Sequence, residues 1–234
     1  MIQEPRGLLP QAQGYWSTVF YGFRPRVIAE NKRLYLSLLA FTVFGISIQV
    51  FMPYLILYYT EALGLSNYVL IMAPAILLAA IATALYGRLF DRFGYLKTLI
   101  PALLILLFGY VFLYLFQATP LVFLGSLLMM TGYLCGMAVF GARIRETTPQ
   151  GMAGRFQGLR IVAQVLIPGV IGPAIGSLVL KGARMVENSD GTQSFIPNVN
   201  IFLWAGIVLL PIAILLLTEA IRNKKGAASD SLHS

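Results

Sequence analysis

Six stretches of the chain contain no aspartate, glutamate, lysine, arginine or histidine: Leu34–Tyr59, Tyr68–Tyr86, Thr98–Phe116, Leu121–Ala142, Ile161–Leu180 and Val199–Leu217. Each is close to the roughly 20 residues that a helix needs to cross about 30 Å of hydrocarbon. A spanning β-strand would be about half as long and would alternate polar with apolar residues. The pattern therefore predicts an all-α integral membrane protein with six transmembrane helices. Composition agrees: 58% of the 234 residues are hydrophobic and 11% are charged, against about 25% charged in soluble domains.

The placement of the cations predicts the topology. Of seventeen lysines and arginines, fifteen lie before the first run, between the second and third, between the fourth and fifth, or after the sixth. The alternate connections hold only Lys181 and Arg184. That asymmetry predicts a multi-pass protein with both termini in the cytoplasm, its basic face toward an anionic inner leaflet such as that of the plasma membrane. It also accounts for the net charge of +8 with the lipid bilayer as partner and without nucleic acid. Residues 1–33 read as a cytoplasmic basic and aromatic linker, 34–222 as the six-helix membrane domain, and 223–234 as a cytoplasmic tail. Trp16, Phe20 and Phe23 share one helical face, which suits either an amphipathic segment on the membrane surface or a linker with scattered aromatics.

The runs differ in kind. The third and sixth are mostly Leu, Ile, Val and Phe, as expected of helices that face lipid. The second carries Ala75, Ala79, Ala80 and Ala84, and the fifth Gly169, Gly172, Pro173, Gly176 and Ser177. Gly132 and Gly136 in the fourth run and Gly172 and Gly176 in the fifth are small-xxx-small pairs, which let helix backbones approach closely. Pro168 and Pro173 predict a bend in the fifth helix. Uncharged polar residues collect elsewhere: Thr42, Ser47, Gln49 and Tyr54 in the first run, Ser126, Thr131 and Tyr133 in the fourth, and Gln164 in the fifth. Thr42 and Gln49, seven apart, share a face from which Ser47 points away. Gln49, Tyr54, Thr131, Tyr133 and Gln164 are candidates to line a solute path; the alternative is interhelical hydrogen bonding. Tyr54, Tyr58 and Tyr59 approach the outer edge and are placed as interfacial anchors.

Catalysis is not expected. One cysteine, Cys135, and one histidine, His233, supply no multi-residue metal site, and the apolar runs hold no acid–base pair. No cofactor is called for.

The segment Gly87-Arg88-Leu89-Phe90-Asp91-Arg92-Phe93-Gly94-Tyr95-Leu96-Lys97 joins the second run to the third. It reads as a charged turn at the membrane edge, closed by Gly87 and Gly94. Its pattern G-x-L-x-D-R-x-G-x-x-K resembles the loop signature of the major facilitator superfamily of secondary transporters. The connection from Arg143 to Arg160, in which Pro149, Gly151, Gly154 and Gly158 are read as helix breakers, is similar to that family's second cytoplasmic loop. Gly172-Pro173 with Gly176 partly resembles a fifth-helix signature of some of its exporters.

The resemblance implies one six-helix half of a twelve-helix bundle. The basic leader and first helix look like those of a C-terminal half. It implies the first and fourth helices at the solute path, the second and fifth at the contact between halves, and a second half as partner: a missing N-terminal half or another copy. A small-molecule substrate would move by alternating access, by secondary-active or facilitated transport. A conformational latch would comprise Gly87, Asp91, Arg92, Gly94 and Lys97 with Arg143 and Arg145. An inactive truncated fragment and a non-transporting membrane binding or regulatory protein are the alternatives.

Overall fold

The computed structural model describes residues 21–187, 191 and 193–230. Within them, five helices are long and apolar enough to cross a membrane. They are α1 (Lys32–Ala62), α2 (Val69–Phe93), α3 (Tyr95–Leu115), α4 (Thr119–Thr147) and α5 (Ala153–Val179). A further helix, α6, runs Asn200–Asp230, and its apolar part spans Asn200–Leu216. A short helix, Pro25–Glu30, precedes α1. Between α5 and α6 lies an antiparallel hairpin of β1 (Met185–Glu187) and β2 (Gln193–Phe195), which hydropathy alone did not distinguish from a polar turn. Trp16 and Phe20 lie outside the described residues, and Phe23 is exposed.

Several helices outrun their apolar stretches. α2 continues through Gly87 to Phe93, so the charged segment is mostly helix rather than turn. A charge ends a membrane span, but it does not end a ladder of backbone hydrogen bonds. Gly94 alone makes the connection, at φ 74°, ψ 179°, backbone space essentially confined to glycine. The expectation that Gly87 helps close the turn is thereby corrected. Gly154 and Gly158 likewise sit inside α5 rather than breaking it. The actual break is Thr148–Met152, with Gly151 at φ 74°.

The packing is reciprocal. α4 lies along α2 and α3, and α1 lies along α5 and α6. Thus the first helix of each triplet packs on the second and third of the other, with further contact between α1 and α4 and between α3 and α6. Close approach is made by glycines. A Cβ on Gly132 would fall 2.6 Å from Leu106 Cα, and one on Gly109 2.6 Å from Met129 Cα, so α3 and α4 touch backbone to backbone. Gly136 opens space for the Phe44 ring of α1, which a Cβ would meet at 2.7 Å. Gly132 and Gly136 therefore serve two different neighbours.

Buried hydroxyls tie the helices together. Ser47 donates to the Ala205 carbonyl of α6 at 2.7 Å and lies 3.1 Å from the Tyr110 hydroxyl of α3. Tyr59 pairs with Ser126 of α4 at 2.6 Å. Tyr58 and Tyr59 are fully buried within the bundle rather than exposed on its surface as anchors would be. Their phenols find partners in α3 and α4, which makes burial of the ring favourable.

Candidate functional site

Two groups of predicted residues lie at different levels of the bundle. The first sits where α1 faces α5. Thr42 donates to the Leu38 and Ala163 carbonyls, each at 2.9 Å. One turn on, Gly45 faces Pro168, whose Cγ a Cβ would meet at 2.8 Å. Then Gln49 lies on Gly172, where an added Cβ would come within 2.8 Å of the Gln49 carbonyl carbon. Last, Tyr54 donates to the Pro173 carbonyl at 3.1 Å and its ring lies against Gly176. The glycine face of α5 is thus occupied by α1 of the same chain. The predicted sharing of a face by Thr42 and Gln49, with Ser47 turned to α3 and α6, is observed.

α5 is irregular beside this seam. Its turns widen to a π-helix over Val162–Leu166. Pro168 has no amide to give the Gln164 carbonyl, and such single-turn bulges are frequent at functional sites. The widened turn lies directly ahead of Pro168, with Pro173 inside the following helical segment. Gln164 sits in the bulge, and its Nε2 is buried with no hydrogen-bond partner. An unsatisfied buried amide costs about 1–3 kcal/mol. Tyr133 of α4 is partly exposed and stacks on Phe44, ring centroids 6.5 Å apart, while Thr131 is partly exposed on the same helix.

The second group lies at the basic end, where α2 meets α3. Arg143, near the end of α4, places its guanidinium 4.7 Å above the Tyr95 ring, the residue after Gly94. It also lies 3.8 Å from Glu146. A cation over a tyrosine face contributes about 0.5–2 kcal/mol, so Arg143 clamps α4 to the start of α3. Arg92 leans on its neighbour Phe93, 5.2 Å from the centroid. Asp91, Arg92, Gly94 and Lys97 are exposed, and Asp91 forms no ion pair with a described residue. Arg145 points elsewhere, into a pocket with Arg160. The structure brings Arg143, but not Arg145, to the Gly87–Lys97 segment. Tyr95 went unremarked in the sequence; its position in the segment as an aromatic among charges was the available signal.

A family profile, Major Facilitator Superfamily, matches residues 36–230. The chain belongs to the major facilitator superfamily. Its members are transporters rather than enzymes, and the match, with the apolar helices, makes this a multi-pass membrane protein. Comparison with curated proteins and with solved structures gave no match.

Proposed function

We propose that the chain acts as a six-helix half of a transporter, with α6 as the sixth crossing, and moves a small solute by alternating access against a second half. The observation that carries this reading is the uneven burial of the helices. In their most apolar stretches α1 and α4 are 61% and 50% buried, α3 is 44%, but α2 and α5 are only 22% each. A helix with lipid on one side and the bundle on the other buries nearly half of itself, as α3 does. Helices that bury about a fifth have a further free face. Leu70, Leu77 and Leu85 of α2, with Val165, Val170 and Leu178 of α5, supply it. A second six-helix unit, another copy or a different one, covers that face.

In this reading Gln164, whose Nε2 has no hydrogen-bond partner, and Gln49 on the facing helix are the groups offered to the solute. The basic end faces the cytoplasm of a plasma membrane, as its cations favour, and both chain ends lie on that side. Asp91 reaches a helix start in the partner half, with Arg92 and the Arg143 clamp beside it, and so stabilises one of two states. Asp91→Asn then lowers transport while leaving solute affinity largely intact.

Because the solute is unidentified, the test is one of accessibility. In a Cys135→Ser background, a thiol from Gln164→Cys is challenged with a membrane-impermeant reagent from each side of the bilayer. Alternating access predicts labelling from both sides and a shift toward one side with Asp91→Asn. Labelling from one side only, unchanged by Asp91→Asn, refutes it.

A further inference from the structure

The cytoplasm-side region holds a second feature that the transport reading does not use. A pocket of about 280 Å³ opens between the start of α1, the end of α4 and the start of α5. Its floor is apolar: Leu34, Leu38, Ile144 and Phe156 are all buried. Arg145 from α4 and Arg160 from α5 line it. Neither arginine forms an ion pair with a described residue, and no aspartate or glutamate is in the lining. Gln150 and Gln157 add amide donors. Two cations facing one cavity without a counter-charge repel each other.

The neighbouring cleft is a useful contrast. It is lined by Lys32, Arg33 and Arg143, but also by Glu30 and Glu146, so its cations have acids beside them. The pocket with Arg145 and Arg160 has none. It calls for an anion from outside the chain.

We propose that this pocket binds a phosphate ester: a phospholipid headgroup or a soluble organic phosphate. Guanidinium groups match phosphate oxygens geometrically. Two of them carried by different helices suit a tetrahedral anion better than a planar carboxylate. The apolar floor requires carbon attached to the anion. The volume equals about nine waters at roughly 30 Å³ each, more than inorganic phosphate fills and enough to admit a glycerophosphate group. The proposal does not depend on transport and is read out by binding.

The test uses the purified full chain in neutral detergent. Binding of phosphatidylglycerol, phosphatidylcholine and glycerol 3-phosphate is measured by native mass spectrometry and titration. Expected is retention of phosphatidylglycerol over phosphatidylcholine, weakened about thirtyfold in Arg145→Gln/Arg160→Gln, as two surface cations contribute. A charge-matched Arg88→Gln/Lys97→Gln variant, altered outside the pocket, keeps most of the affinity. Displacement of the lipid by glycerol 3-phosphate identifies a soluble ester as an equal occupant; no displacement identifies the lipid. Gln157→Glu places an acid at the exposed mouth, and weakened binding there supports the site even where the double variant fails to fold. Equal loss in the charge-matched variant, no loss in the double variant, or no binding of either anionic probe overturns the proposal.

Discussion

Gly132→Ala tests the α3–α4 contact, on which much of the fold rests. The added methyl would stand 2.6 Å from both Cα and Cβ of Leu106. Carbon atoms rest at about 3.5–4.0 Å, so the helices must separate by roughly 1 Å. The strain reaches Gly109, whose own close approach to Met129 lies on the same seam. Overpacking of this kind costs about 1–3 kcal/mol. The reference is Gly141→Ala on the same helix, where a Cβ meets nothing within 4 Å. Both substitutions gain the same helix propensity, about 0.8–1.0 kcal/mol, so their difference isolates the clash. Reversible unfolding in mixed detergent micelles, followed by circular dichroism, measures it. Equal stability of the two variants, within about 0.5 kcal/mol, means that α3 and α4 do not meet at this glycine.

Three further outcomes are expected. Gly94→Ala forces a side chain into φ 74°, ψ 179° and destabilises by about 1–3 kcal/mol, measured in the same unfolding assay; Gly87→Ala, in open helix, does not. Ser47→Ala leaves the buried Tyr110 hydroxyl without the partner it has at 3.1 Å and costs about 1–3 kcal/mol, whereas the double variant with Tyr110→Phe recovers part of that loss. Gln164→Leu removes the buried amide left without a partner and raises stability by about 1 kcal/mol.

Helix identity was legible because each apolar run is long and free of charge. Helix ends were not. Arg88 and Asp91 end the apolar run of α2, yet backbone bonding carries the helix to Phe93. Gly154 and Gly158 read as breakers but lie in the first turns of α5, a segment whose Phe156 and Leu159 pack on Gly22. Small residues correctly marked close approach, but Gly172 and Gly176 meet Gln49, Val50 and Tyr54 of the same chain. Sequence spacing says that a glycine face exists and not which helix fills it. Partners far apart in the chain were the least visible. Ser47 bonds to a residue 158 positions away, and Tyr58 and Tyr59 looked like edge anchors until their partners in α3 and α4 were known. Among the charged residues, Arg143 and Arg145 were named together, and that Arg143 is the one that reaches Tyr95 is a tertiary fact.

The central claim is that the free faces of α2 and α5 are covered by a second half. Native mass spectrometry of the protein, extracted gently from its own membrane, addresses it directly. The account predicts that this 25.7 kDa sequence is found in a particle of about twice that protein mass, as a complex or within one longer polypeptide, with roughly the twelve helices that two six-helix repeats supply. A 25.7 kDa monomer carrying only lipid would contradict it.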